Sequence, residues 1–290
     1  MKSRTWKLLE ILDATTPFFQ TRGIENPRLQ AELLLSEVLH LRRLDLYLQF
    51  GRILTPAEVA QYRDYVRQRE QGVPVQYITG EAAFRHLVLG VSREVLIPRP
   101  ETEVLVDAAL EYLAPLAAPR VLDLGCGSGA IAISLAFEHP TAWTVAADIS
   151  LEAVRVTRRN AERHGVGGRV ALLCGDLLQP VQPLPVFDAI VSNPPYVRRG
   201  DLAGLDREVR DHEPGLALDG GEDGLDYYRR LAGPAAALLV AGGRLILEVG
   251  DGQAQTVADL LAALAGFEIV EIRPDWHHIP RVVVSCPGRR

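Results

Sequence analysis

An apolar strand pattern, Arg120-Val121-Leu122-Asp123-Leu124, runs directly into Gly125-Cys126-Gly127-Ser128-Gly129 and then into the helix-forming run Ala130-Ile131-Ala132-Ile133-Ser134-Leu135. This junction constrains the fold more than any other part of the 290-residue chain. Three glycines in five residues let the backbone turn sharply and let a ligand come close where side chains would block it. A strand, such a loop and a helix form the first half of a βαβ unit, whose strands pair in parallel under covering helices. From Pro98 onward the alternation repeats. Strands are expected near 120–124, 143–147, 169–173, 187–192, 243–248 and 268–272, with a last one at Val282–Cys286, and helices separate most of them. The expected fold class is therefore α/β: a doubly wound, seven-stranded, Rossmann-like domain that binds its ligand beyond the strand carboxyl ends.

The first 75 residues read instead as short amphipathic helices. Trp6, Leu8, Leu9, Ile11 and Leu12 fall near helical spacing, and Thr16-Pro17 is expected to end that helix. Pro27–Leu39 is a second helix and Leu44–Gln49 a short third. Thr55-Pro56-Ala57-Glu58 has Thr as N-cap, Pro at the first helical position and Glu at N3, so it opens a helix that Gly72 and Pro74 stop near Gln71. Val75–Gly80 and Phe84–Val91 alternate and contain β-branched residues, which predicts a β-hairpin. The expected organisation is a helical domain over 1–75, a hairpin linker over 76–98 and the α/β domain over 99–290.

Composition narrows the function. No apolar run approaches the ~18 residues needed to span a bilayer, and Met1-Lys2-Ser3-Arg4-Thr5-Trp6 lacks the apolar core of a signal peptide. Cys126, Cys174 and Cys286 form neither a metal-ligand spacing nor an even disulfide set, which points to a reduced cytoplasm and no metal. Of 31 basic and 37 acidic side chains, 11 and 9 fall in the first 75 residues, leaving the remainder net −8. Such a surface suits a basic protein partner and is poorly matched to a nucleic-acid backbone.

Two motifs carry the chemistry. In the first, Asp148 lies 23 residues past Gly125, after the next strand, where a carboxylate accepts hydrogen bonds from ribose hydroxyls. Asp123, just before the loop, suits a cationic sulfonium or amino group better than a pyrophosphate. Cys174-Gly175-Asp176-Leu177 follows the third strand, with Asp176 expected to accept from an adenine amine and Leu177 to cover its face. Cys126 has no partnered His and reads as a small loop filler. The second motif is Ser192-Asn193-Pro194-Pro195-Tyr196, after the fourth strand. Carboxamide nitrogen is a poor nucleophile because its lone pair is delocalised. The Asn193 side-chain oxygen and the Pro194 carbonyl can accept from both of its N–H groups, proline keeps them in place, and Tyr196 offers an aromatic face. Together the motifs imply methyl transfer from S-adenosylmethionine to an amide or amine nitrogen. Adenine-N6 or guanine-N2 methylation of nucleic acid is the rival reading, and the acidic charge weighs against it.

In these residues the chain resembles the PrmC/HemK family, the peptide chain release factor glutamine N5-methyltransferases. The likeness runs almost end to end and takes in Leu96-Ile97-Pro98-Arg99-Pro100-Glu101-Thr102-Glu103, Glu213-Pro214 with Ala217-Leu218, and Gly220-Gly221-Glu222-Asp223-Gly224-Leu225. It implies a helical substrate-recognition domain, a hairpin linker and a seven-stranded S-adenosylmethionine-dependent methyltransferase domain. It further implies methylation of the glutamine of a Gly-Gly-Gln motif in class 1 peptide chain release factors, a step in translation termination. By resemblance, Gly125, Cys126, Gly127, Ser128, Gly129, Asp148, Leu177 and Asn193 contact the cofactor. Asn193, Pro194, Pro195 and Tyr196 contact the substrate, with Asn193, Pro194 and Tyr196 in the catalytic role. The protein is expected to be a cytoplasmic monomer whose partner is a release factor, with no direct nucleic-acid or membrane binding. Two positions depart from the pattern: Phe84-Arg85-His86 stands where many relatives have an aromatic-glycine pair, and Leu177 where some are aromatic.

Overall fold

The computed structural model describes residues 5–288; the first four residues, part of the N-terminal stretch read for a signal, and the last two lie outside the described residues. Helices α1 (Leu8–Gln20), α2 (Pro27–Leu39), α3 (Arg43–Tyr47), α4 (Pro56–Glu70) and α5 (Val75–Thr79) come first. A hairpin of β1 (Glu81–Phe84) and β2 (Leu87–Gly90) follows, then α6 (Thr102–Leu113), β3 (Arg120–Leu124), α7 (Ala130–Glu138), β4 (Trp143–Asp148), α8 (Leu151–Arg163), β5 (Val170–Cys174) and β6 (Phe187–Ser192). The chain continues with α9 (Arg207–His212), α10 (Asp226–Leu238), β7 (Leu239–Glu248), α11 (Ala254–Ala265), β8 (Phe267–Pro274) and β9 (Pro280–Pro287). None of the described helices is long and apolar enough to cross a membrane.

Two compact units result: Met1–Glu81 with Arg207–His212, and Ala82–Asp206 with Glu213–Arg290. The expected breaks after residues 75 and 98 do not fall at these divisions. Helix α5 and the distant α9 belong with the helical unit, and most of the hairpin belongs with the sheet. The reason for α9 is ionic: the buried Arg69 guanidinium pairs with Glu208. Gly72 leaves room beside it for the Arg207 side chain, whose nearest atom lies 3.4 Å from where a β-carbon would sit.

Within the helical unit, Leu8, Leu12, Phe19, Leu34, Leu35, Leu46 and Tyr62 are fully buried in one core. The Thr55 capping box forms as expected: the Glu58 N–H donates to Thr55 Oγ1 at 3.2 Å and the Thr55 N–H to Glu58 Oε2 at 2.8 Å. Two expectations fail. Pro17 lies inside α1 rather than ending it. It removes one ladder donor, yet continuing the helix buries Phe19, and the preceding hydroxyls of Thr15 and Thr16 donate to the Ile11 and Leu12 carbonyls at 2.8 Å. Val75–Thr79 is helical rather than the first hairpin strand, because Pro74 caps it, Ile78 is buried and Gly80 (φ +76°) ends it within five residues.

In the second unit the seven strands run β5-β4-β3-β6-β7-β9-β8. The first five are parallel, and β9 is antiparallel to both neighbours. Because successive strand residues face opposite sides, Val121, Ala189, Val191 and Ile246 pack under α6 and α7, whereas Leu122, Leu124, Ile190, Leu245 and Leu247 pack under α10 and α11. The order reverses at β3, which pairs with β4 on one side and β6 on the other. That switch point opens a crevice at the strand carboxyl ends.

Candidate active site

The crevice holds a cavity of about 360 Å³. Its wall comes from four strand ends: Leu124, Gly125 and Gly127 after β3, Asp148 and Ile149 after β4, Gly175–Leu177 after β5, and Ser192–Pro195 after β6. The strand ends are tied to one another. The buried Ser192 hydroxyl donates to the Leu124 carbonyl at 2.7 Å, and the N–H groups of Gly125 and Cys126 donate to the Ala147 carbonyl at 2.8 and 3.0 Å. The glycine loop is therefore clamped to both neighbours of β3.

Asp148 is the electrostatic centre of the loop. Its Oδ2 accepts from the Gly127 N–H and its Oδ1 from the Ser150 N–H, each at 2.9 Å. Each oxygen keeps a second lone pair for a diol. Burial pushes its pKa up, and the backbone donors pull the other way. A β-carbon at Gly125 would meet only the Asn193 carbonyl, at 4.0 Å, and one at Gly127 nothing within 4 Å, so the space beside them is left to a ligand. Gly129 differs, because a β-carbon there would strike Ile133 at 2.6 Å and Thr157 at 2.8 Å; it serves close packing of α7.

The structure divides the expected cofactor residues. Gly125, Gly127, Asp148, Leu177 and Asn193 line the cavity, whereas Cys126, Ser128 and Gly129 do not. Cys126 is buried 3.4 Å from the Thr157 hydroxyl, and burial raises its thiol pKa well above normal, so it stays protonated as a filler. Ser128 is buried with its carbonyl accepting from Asn160 Nδ2 at 2.8 Å. Asp123 also lies outside the cavity, contrary to expectation. Alternation along β3 turns it beneath α7, where Oδ2 accepts the Ala132 N–H at 3.0 Å, and burial, reinforced by the Asp148 charge, raises its pKa to about 7. Asp176 lines the cavity but already accepts from Arg230 at 2.6 Å.

Sequence reasoning missed part of the wall. Tyr227 and Arg230, one turn apart on α10, the Glu94–Leu96 segment, and Pro214, Leu216 and Ala217 all line the cavity. The helical i, i+3 spacing of Tyr227 and Arg230 was the available signal. Arg99 also explains why Pro98–Glu103 and Glu213 occur together: its guanidinium donates to both Glu213 carboxylate oxygens at 2.7 Å.

After β6, Asn193, Pro194 and Pro195 line the cavity; Tyr196 does not. Its ring packs against the α10/α11 core, with Cδ2 3.0 Å from where a Gly250 β-carbon would be. Burial, then the neighbouring Glu248 charge, pushes its phenol up to about 12. Its carbonyl accepts from Gln253 Nε2 at 3.0 Å, and a β-carbon at Gly220 would come within 2.8 Å of its backbone. The glycine-rich 220–224 segment thus makes room for the Tyr196 backbone. Asn193 Nδ2 donates to Thr102 Oγ1 at 3.0 Å.

The cavity fits S-adenosylmethionine by the chemistry of its donors: a carboxylate for the ribose, apolar Ile149 and Leu177 for a flat base, and open glycine backbone beside Asn193. The comparisons agree with this fit. Residues 10–80 match the PrmC N-terminal domain and residues 102–205 the methyltransferase small domain. The chain is 45% identical over 282 residues to a release factor glutamine methyltransferase of Geobacter sulfurreducens, covering 97% of each chain. It is 43% identical over 293 residues to that of Chlorobaculum tepidum, covering 98% of each. Among solved structures, the hMettl16 catalytic domain in complex with a MAT2A 3′UTR hairpin overlays 82% of this chain and 86% of its own at TM-score 0.56 and 13% identity, a likeness of fold alone. With near-complete coverage at such identity, the chain belongs to the release factor glutamine methyltransferase family.

Proposed function

We propose that this protein transfers a methyl group from S-adenosylmethionine to the side-chain amide nitrogen of the glutamine in the Gly-Gly-Gln motif of class 1 peptide chain release factors, in the cytoplasm. Family membership favours this over the nucleic-acid alternative. The observation that carries the reading is the meeting of Asn193 and Pro194 with the Gly125 loop on one cavity wall. Held by Asp148 and the Gly125–Gly127 backbone, S-adenosylmethionine would supply an electrophilic methyl on a sulfonium, with a neutral thioether as the leaving group. Asn193 Oδ1 and the Pro194 carbonyl accept from the two N–H groups of the substrate amide and hold its nitrogen on the line of approach. Positioning of this kind contributes up to roughly 7–11 kcal/mol in the best intramolecular cases. No strong base is needed, because the nitrogen becomes acidic as it gains the methyl and gives its proton to water. Buried Pro194 limits backbone movement, and the Gln253 bond to the Tyr196 carbonyl fixes the far end of the segment.

Labelled methyl transfer to purified release factors, with DNA and ribosomal RNA as competitors for label, tests this reading. Label is expected in the release factor alone; label only in nucleic acid overturns it. Asn193→Ala is expected to slow single-turnover transfer by about a hundredfold, a barrier change near 3 kcal/mol, with cofactor affinity little changed.

A further inference from the structure

Asn193 works as an acceptor only if its carboxamide presents oxygen, and not NH2, to the cavity. The two branches of a carboxamide are nearly the same shape, so packing does not decide between them; partners do. The β6–β7 register decides which partners are available. Val191 pairs with Ile246 and Ser192 with Leu247, so the next step places Asn193 beside Glu248. By alternation, Asn193 and Glu248 fall on the face of Val191 and Ile246, which α6 covers, and α6 begins at Thr102.

We infer that Thr102 and Glu248 are positioning residues that hold the Asn193 carboxamide with NH2 turned into the fold and Oδ1 turned to the cavity. The inference rests on the reading that Asn193 accepts from the substrate amide. Asn193 Nδ2 donates to Thr102 Oγ1 at 3.0 Å, and Thr102 is itself buried. Glu248 is only 1% exposed, does not line the cavity, and its Oε2 has no partner. It therefore acts through its neighbours. Thr102 and Asn193, joined to each other, both favour the charged form of its carboxylate.

The polarity follows from the donor inventory. An ionised carboxylate only accepts, so in the inferred arrangement the Thr102 hydroxyl turns its one proton toward Glu248. Its oxygen is then left to accept, and only the NH2 branch of Asn193 can supply that bond. A protonated Glu248 can donate to Thr102 instead, which frees the hydroxyl proton for Asn193 Oδ1 and lets the amide turn over. Burial, the largest effect, raises the Glu248 pKa to about 7, so this change lies in the working range. The other charged or titratable groups acting there are Glu101, which raises it, and Arg281, which lowers it, with Tyr196 and Tyr228 nearby. Arg281 is itself anchored to Asp275 at 3.0 Å. The role also accounts for Thr102 within the Pro98–Glu103 motif, which strand and loop chemistry leave unexplained.

The test is single-turnover methyl transfer to a class 1 release factor at saturating S-adenosylmethionine, with cofactor affinity and melting temperature measured for every variant. Thr102→Val, which keeps shape and loses the hydroxyl, is expected to slow transfer tenfold or more with cofactor Kd within about twofold. Thr102→Ser restores the hydroxyl and is expected to recover the rate to within about threefold. Glu248→Gln, nearly isosteric, is also expected to slow transfer tenfold or more. The wild-type rate should fall as pH drops below about 7, and Glu248→Gln should lose that dependence. Thr102→Val and Glu248→Gln both turning over near the wild-type rate, while Asn193→Ala is slow, overturns the positioning role alone. Equal damage from Thr102→Ser and Thr102→Val also overturns it, because packing rather than the hydroxyl is then responsible. Asn193→Ala turning over at the wild-type rate overturns the acceptor reading beneath it.

Discussion

At the scale of single residues, this site is made of groups held in place by hydrogen bonds within the protein. Asp148 spends one lone pair of each oxygen on the Gly127 and Ser150 N–H groups, which fixes the carboxylate toward the cavity. Loss of charge-assisted bonds of this kind costs about 1.5–3 kcal/mol. Asp148→Ala should therefore weaken S-adenosylmethionine binding by roughly ten- to a hundredfold, in part by releasing the glycine loop. Isothermal calorimetry measures this directly, and unchanged affinity would remove Asp148 from the cofactor site. The place of Asp148 and Asn193 on the cavity wall was legible because each sits at a strand end. Asp123 was misplaced because a residue's face depends on strand parity, and here parity turns it under α7.

At the scale of elements, the β1–β2 hairpin shows how ion pairs hold a turn residue in a costly backbone conformation. Arg85 occupies the left-handed region at φ +50°, where a glycine is the easier residue. Its guanidinium donates to both Glu138 carboxylate oxygens at 2.6 and 2.8 Å and to Asp107 at 2.7 Å, while its N–H donates to Glu103 at 3.0 Å. These bonds hold the hairpin to α6 and α7 and offset a backbone cost of about 1–2 kcal/mol. Arg85→Ala keeps the strain and loses the bonds, so urea unfolding should show a loss of about 2–3 kcal/mol. Arg85→Gly should lose about 1 kcal/mol less, because the strain goes too. Equal losses would show that the backbone there is unstrained. The strands and the Thr55 cap were readable from short windows. The helical Val75–Thr79 was not, since five alternating residues satisfy either period and only burial of Ile78 decides.

At the scale of the whole molecule, two buried carboxylates set how stability responds to pH. Burial raises Asp123 from 3.8 and Glu248 from 4.5, each to about 7. Between these values the folded state holds protons that the unfolded chain has lost, so stability falls as pH rises from about 4 to about 7. Each group contributes on the order of 3 kcal/mol to that fall. Denaturant unfolding from pH 5 to pH 8 should show stability declining, and Asp123→Asn should remove roughly half of the slope while keeping an acceptor for the Ala132 N–H. A wild-type stability that rises over this range would show that both carboxylates are ionised when folded.

The sequence by itself determined the alternation of strands and helices from Pro98 onward, the glycine loop, the Asn193–Tyr196 segment and hence the chemistry, because each depends on neighbours within a few residues. Tertiary structure alone decided the rest. It brought Arg69 to Glu208 and Arg99 to Glu213 across more than a hundred residues. It set Tyr196 into a pocket cleared by distant glycines and lined the cavity with Tyr227 and Arg230. It also placed Thr102 and Glu248 behind Asn193, since sheet register and helix docking join segments that no local pattern connects.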